Sequence, residues 1–423
     1  MLRLLKNIYL RIGFHTAASG TLLHGVHARL LKMFHLFFPP PPPVARQIEI
    51  RAGIPLTRPL WSKKSDGYTA YVEGTDSGYI YWDVHKLSDR VVFDIDRAVA
   101  KMEVKGIALI FFMGLGDYIF TTPLLTALWH KFPGIPLHAF ISTATDKNNS
   151  ALIKDLIIHN PHIDHIHFYD GQRTEDSVQD WRNYDYTEAL KKVPEQFLAI
   201  PLFYGYDTSV RHRVYSLFDT FSLARTAHVL PPEIHLSAVP ATSVSLFFQR
   251  IMSALHNGGR GIVFVQLDAR STSYVYPYID VIVDRLVDLG FVVISVTPLT
   301  TNKENRVFVV DFTQFKIIDS IHLLKMLADA AGEKIALLTV TSVFGSVSAG
   351  LGIRNVQMWH ADDEMMPTMW YPVHHVIARR DYPALPQESI TVAPPSEYEI
   401  NSSGLVDYRA DFVVDVFLKV VGL

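Results

Sequence analysis

The sequence predicts an α/β chain of two Rossmann-like, doubly wound lobes, preceded by a basic helical arm and a small β-rich module. Three observations predict it. Continuous apolar runs of strand length alternate with helix-length amphipathic segments from Lys105 onward, the pattern of parallel strands buried on both faces. The alternation starts afresh at Gly261. Between the two series lies LPPEIHLSAVPAT, Leu230 to Thr242, with three prolines and no long helix, which reads as the joint between lobes.

The elements follow in order. Residues 1–47 hold six Lys or Arg (Arg3, Lys6, Arg11, Arg29, Lys32 and Arg46) and no acid. Leu2, Leu5, Ile8, Tyr9 and Ile12 recur at helical spacing, and Leu22, Leu23, Val26, Leu30, Phe34 and Phe37 form a second stripe. Such an arm lies on an anionic membrane surface through residues 1–37, or docks on protein. His15, Thr16, Ser19, Thr21, His24 and His27 interrupt it too often for a spanning helix, and no cleavage site marks it as a secretory signal. Pro39 to Pro43 make a stiff polyproline spacer. Within residues 48–104, Tyr68–Val72 and Tyr79–Trp82 flank Gly74-Thr-Asp-Ser-Gly78, a hairpin signal in a β-rich module.

The first lobe, 105–238, takes strands at Gly106–Met113, Leu137–Thr143, His165–Tyr169 and Phe197–Ile200, with helices such as Ala151–His159 and Thr187–Val193 between them. The second, 239–400, takes Gly261–Gln266, Phe291–Val296, Val307–Asp311, Ile335–Val340 and Asn355–Trp359, bridged by helices such as Tyr278–Leu289 and Ile317–Ala330. In 401–423, Phe412, Val413, Val416, Phe417 and Val420 recur at helical spacing and read as core packing. Paired sheets of this kind take ligands in the cleft beyond their carboxyl ends.

Composition excludes several classes. With 423 residues, 49% hydrophobic and 19% charged, the chain is long and apolar enough for two packed domains. A net charge of −3 gives no basic surface for nucleic acid. The absence of cysteine removes disulfides, thiolate nucleophiles and Cys-ligated metal. The nineteen histidines form no HExxH, and His165-Ile-His167 reads as alternate residues of one strand, so no metal is expected.

The densest motif is GLGDYIFTTPLLTALWHKFP, Gly114 to Pro133. A buried strand ending at Gly114-Leu-Gly116 lets the backbone turn tightly and approach a ligand. Asp117 then stands at a helix start, where a carboxylate serves either as a simple partner of the helix dipole or as a working group. A dinucleotide loop fails, because Ile119 occupies the position of the third glycine and the first later acid, Asp146, is too distant for ribose.

This stretch resembles the first signature of the ADP-heptose:lipopolysaccharide heptosyltransferases, the family-nine glycosyltransferases, with GD, TTP and FP at the family's spacing. His159-Asn-Pro-His-Ile-Asp-His-Ile-His-Phe-Tyr-Asp170, His212-Arg-Val-Tyr-Ser-Leu-Phe-Asp219, Pro232-Glu-Ile-His-Leu236 and the Tyr371–Pro383 segment are similar to its later signatures, in order, over residues 105–390. The resemblance implies a GT-B arrangement with acceptor in the first lobe and nucleotide-sugar in the second, and inverting transfer without metal or other cofactor. It assigns Asp117 as general base, and Gly114, Gly116, Thr121, His212 and Arg213 to the acceptor side. A carboxylate there takes the proton of an attacking hydroxyl. Desolvation and the helix N-terminus act on it in opposite senses, and it is expected to stay ionised at neutral pH.

On the donor side Arg270 matches a phosphate-clamping arginine, while Tyr274 or Val275 stands where the family has Lys. The loop before the next helix keeps the hydroxyl of Ser342 and brings Gly345 and Ser346 beside it. Thr341 replaces the family's Asp, Val343 its Gly, and Ser346 its His. Its layout still aims backbone N–H groups at an anion, and a plain Ser cap fits each residue equally. Trp359-His-Ala-Asp-Asp-Glu364 reads as a solvated acidic loop.

The expectation is a transferase moving heptose or a related sugar, ADP-heptose first, to a lipid-linked acceptor, as a peripheral protein on the cytoplasmic face of the inner membrane. A protein acceptor is the second class, since the autotransporter-modifying heptosyltransferases also place a β-rich module before this lobe pair, though with Cys-based metal motifs absent here. The rival is a catalytically inactive scaffold or subunit of a larger assembly, suggested by the altered donor loops.

Overall fold

The computed structural model describes residues 49–52, 62–64, 67–70, 82–84, 104–111, 114–143, 147–170, 189, 192–194, 196–202, 212–220, 223, 229–268, 275–300, 305–312, 315–359, 366–394 and 408–422. The expected arm, its polyproline spacer, the loop at 74–78, the acids at 360–365 and Arg270 lie outside these residues.

The first lobe is a five-stranded parallel sheet. Its strands in chain order are β1 (Glu49–Ala52), β5 (Gly106–Phe111), β6 (Leu137–Ser142), β7 (His165–Tyr169) and β8 (Phe197–Pro201), arranged 1-7-6-5-8. β5 is a wholly buried apolar run, which is why the sequence shows no alternation there, and β6 is buried throughout with His138 and Ser142 among its apolar residues. β1 pairs with β7 from Glu49↔His165 to Ala52↔Phe168. The first strand of the region read as accessory module is thus the edge of this sheet. The module itself is a separate antiparallel sheet of β2 (Ser62–Lys64), β3 (Gly67–Ala70) and β4 (Trp82–Val84), in register from Tyr68 with Val84 to Ala70 with Trp82.

Helix α1 (Leu115–Lys131) follows β5, α2 (Lys147–Ile157) follows β6, and α3 (Arg213–Thr220) follows β8. α1 carries Pro123 in its interior and buries Tyr118, Ile119, Phe120, Leu124, Leu125 and Leu128. Proline removes one backbone donor and Thr121 and Thr122 turn their hydroxyls back to carbonyls three residues earlier, which this tightly buried helix accommodates.

The second lobe opens with α4 (Thr242–His256), at the end of the segment read as a joint. Seven parallel strands follow: β9 (Ile262–Gln266), β10 (Val292–Ser295), β11 (Val307–Val309), β12 (Ile335–Val340), β13 (Arg354–Met358), β14 (His374–Ala378) and β15 (Ile390–Val392), in the order 11-10-9-12-13-14-15. Helices α5 (Ile279–Asp288), α6 (Ile317–Ala331), α7 (Val343–Leu351) and α8 (Ala410–Val421) complete it. Alternate residues of β9 divide between two cores: Ile262 and Phe264 pack toward α4, α6 and α7, and Val263 and Val265 toward α5 and α8. Both faces are therefore covered, as a doubly wound sheet requires.

An extended strap, residues 229–241, links the lobes. Glu233 N–H donates to Thr122 Oγ1 at 2.8 Å and its carboxylate accepts from Thr126 Oγ1 at 2.9 Å, tying the strap to α1. Ile234 and the Pro232 carbonyl lie against Gly350 of α7, where an added Cβ would stand 2.7 and 2.8 Å from them. Ser237 pairs with His322 of α6 at 3.0 Å. The strap thus holds α1 of one lobe and α6 and α7 of the other.

Candidate functional site

In each sheet the chain order reverses at one strand: β5 has β6 on one side and β8 on the other, and β9 has β10 and β12. Ligands of open α/β sheets bind at such switch points, beyond the carboxyl ends of the strands. α1 leaves the first switch point and α7 leaves β12 at the second. The two helices pack against each other, so that Gly116 in the first turn of α1 faces Val343 in the first turn of α7. Two helix N-termini, each with unpaired N–H groups and positive dipole, converge where the lobes meet.

Asp117 lies in this first turn, its side chain 28% exposed, and Arg213 Nη1 donates to its Oδ1 at 2.6 Å. The arginine side chain is 15% exposed and its guanidinium lies 5.8 Å from the Phe120 ring centroid. The carboxylate does not cap the helix: Gly114 is the N-cap residue and no side-chain cap is formed. Oδ2 points back toward Gly114, 3.6 Å from where a Cβ would be.

Neither glycine has the conformation that the sequence suggests. Gly114 is extended, with φ −70° and ψ 169°, and Gly116 is helical. A Cβ at Gly116 would meet Val343 Cα at 3.7 Å, an ordinary contact. Neither backbone angle nor the chain's own atoms require glycine here, whereas at Gly345 a Cβ would stand 2.1 Å from Gln357 Nε2. Glycine at 114 and 116 keeps the mouth of the turn free of side chain.

Two residues expected on the acceptor side are elsewhere. Thr121 is fully buried and its hydroxyl donates to the Tyr118 carbonyl at 2.6 Å, so it faces the core. His212 is 9% exposed, accepts from the Val214 N–H through Nδ1 at 3.3 Å, and packs between Phe120 and Tyr371. Burial drives its pKa down to about 3, partly opposed by the Trp370 backbone, so it is a neutral ring and not a cation for an anionic acceptor. Arg213 does reach the site, as the partner of Asp117.

On the donor side Ser342 is the N-cap of α7, in extended backbone, with its hydroxyl accepting from Phe344 N–H at 3.3 Å. Gly345 and Ser346 are buried beneath the turn. Under them runs a polar chain that the sequence did not reveal. Thr339 Oγ1 donates to Asn355 Oδ1 (3.1 Å), Asn355 Nδ2 to Ser348 Oγ (3.2 Å), and Ser348 Oγ to the Gly345 carbonyl (2.7 Å). His374 reaches the same carbonyl through Nε2 at 3.0 Å, and its Nδ1 accepts from Tyr371 N–H at 3.2 Å. That pair of contacts fixes the Nε2–H tautomer. Burial lowers the pKa of His374 to about 4, so it stays neutral. The signal for this network was alternation: Thr339, Asn355 and Gln357 occupy α7-facing positions and alternate with Leu338, Val340, Val356 and Met358.

Among the described residues no group of three or more His, Asp or Glu is placed to hold a metal ion, and no helix is long and apolar enough to cross a membrane.

No protein-family model and no curated protein matches the chain. Among solved structures it is similar to a family 9 glycosyl transferase from Veillonella parvula, with 14% identity over 75% of this chain and 97% of that one, and a TM-score of 0.48. It is also similar to E. coli ADP-heptose lps heptosyltransferase II, with 12% identity, 75% and 98% coverage and a TM-score of 0.46. A third likeness is to E. coli heptosyltransferase WaaC with ADP, with 12% identity, 74% and 99% coverage and a TM-score of 0.42.

Proposed function

We propose that the protein is an inverting glycosyltransferase that moves heptose or a related sugar from a nucleotide-diphosphate donor, ADP-heptose being the first to test, to an acceptor hydroxyl. The observation that carries this reading is Asp117: a carboxylate at the first switch point, partly open, oriented by Arg213, in the helical turn whose Gly116 faces Val343 at the start of a helix in the opposite lobe. In the reaction the acceptor oxygen attacks the anomeric carbon from the face opposite the leaving group. The bond from that carbon to the diphosphate oxygen breaks, the nucleoside diphosphate leaves with the electron pair, and Asp117 takes the hydroxyl proton. The N–H groups at the start of α7 and the Ser342 turn suit the charge that develops on the leaving diphosphate. Arg270 is proposed to add a bidentate contact. No metal or other cofactor enters this scheme.

The acceptor is proposed to be lipid-linked, reached from the cytoplasmic face of the inner membrane by a peripheral protein whose residues 1–37 lie on the bilayer. Its support is the run of cations and apolar stripes in the arm. A protein acceptor is the alternative.

One observation favours a second reading, an inactive scaffold within a larger assembly: Val343 replaces the family's glycine at the α7 turn and packs against Gly116. Calorimetry with ADP, GDP and UDP sugars separates the two. Binding of one of them supports the transferase; no binding to any, together with a stable protein partner, supports the scaffold.

A further inference from the structure

Asp117 and the first turn of α7 belong to different lobes, yet one short segment of the second lobe, Trp370 to His374, touches the supports of both. Tyr371 is 1% exposed. Its ring stacks on Phe120 of α1 with centroids 5.6 Å apart and planes 16° apart, and meets His212 edge-on at 4.6 Å. His212 is joined to Arg213, which holds Asp117 and lies over the same Phe120 ring. On its other side Tyr371 donates its own N–H to His374, and His374 grips the Gly345 carbonyl in the first helical turn of α7. The Trp370 indole N–H donates to the His374 carbonyl at 3.1 Å, which stiffens the segment. Phe120, His212, Tyr371 and His374 are all buried, and close-packed rings do not move singly.

We infer that Tyr371 is a positioning residue that couples the α7 turn to the Asp117 carboxylate, so that the orientation of the base follows the state of the opposite lobe. A ring that merely filled the core would contribute stability alone. This one bridges the two lobes and contacts both His212 and Phe120, the two groups that flank Arg213. Its consequence for turnover rests on the glycosyltransferase reading; the mechanical link does not.

The test uses the full-length chain labelled with ¹³C at aspartate carboxyls, with the Asp117 signal assigned by its loss in Asp117→Asn. Tyr371→Leu keeps apolar bulk and removes the flat ring. In the ligand-free protein its Asp117 signal is expected to move at least halfway from the wild-type position toward that of Arg213→Met, and Tyr371→Phe is expected to restore the wild-type position. An unmoved Asp117 signal in folded Tyr371→Leu overturns the coupling. Should that variant fail to fold, Phe120→Leu cuts the same stack from the first lobe and carries the same expectation. With an active donor, Tyr371→Leu lowers kcat on the order of 100-fold, as a misplaced group does, with donor KM changed less than about threefold; a KM effect alone counts against it. A wild-type chain that neither binds nor turns over a nucleotide-sugar removes the transferase reading, while the ligand-free spectra still decide the coupling.

Discussion

Arg213 Nη1 stands 2.6 Å from Asp117 Oδ1, joining the start of α3 to the first turn of α1. The contact gives the carboxylate a fixed direction and leaves Oδ2 on the Gly114 side of the turn. Because both partners are more than two-thirds buried, the arginine cannot be lost without leaving a charge poorly solvated.

Arg213→Met is therefore expected to destabilise the chain by about 1.5–3 kcal/mol, the range for a hydrogen bond to a charged group. Urea unfolding reads this as a lower midpoint with unchanged slope.

Gly116→Ala separates stability from function. A Cβ fits beside Val343, and alanine in a helix is favoured over glycine by about 0.5–1 kcal/mol, so the melting temperature rises. If the mouth of the turn receives the acceptor, turnover falls in the same variant. A thermal melt and an initial-rate assay on one preparation give both readings.

Gly345→Ala behaves oppositely. Its Cβ would displace the Gln357 amide, whose Oε1 accepts from Trp359 Nε1 at 3.0 Å. Overpacking of this kind costs about 1–3 kcal/mol, and the melting temperature drops.

Acid should weaken the fold through His212 and His374. Their folded pKa values, about 3 and about 4, lie below the ordinary value of 6.5. Between those folded values and 6.5 the unfolded chain binds more protons, so stability falls as pH drops below 6.5 and is insensitive to these groups above it. Each contributes a slope of up to ~1.4 kcal/mol per pH unit. Denaturation between pH 7 and 5 should show the loss, and His374→Gln should flatten it.

Much of the architecture was legible in the sequence. The strand at His165–Tyr169 and the one at Ile335–Val340 have the expected bounds, the first because its histidines alternate with apolar residues and the second because it is a nearly continuous apolar run. β1, β14 and β15 were missed. β1 is a short edge strand whose neighbour, β7, lies over a hundred residues away, and β14 carries His374 and His375, which obscure its apolar character. The site was legible only residue by residue. Asp117 and Arg213 were both singled out, but nothing in their spacing of 96 residues announces an ion pair. Thr121 and His212 looked available because sequence does not say which face of a helix, or which side of its first turn, is buried.

The most direct measurement follows the anomeric proton by NMR while the protein is incubated with a nucleotide-sugar that it binds and with a saccharide acceptor. The account predicts one product of inverted anomeric configuration from the wild type, and from Asp117→Asn a rate lower by roughly 10²–10⁴, the usual worth of a general base, with donor affinity unchanged. Retained configuration, or transfer by Asp117→Asn at the wild-type rate, would contradict it.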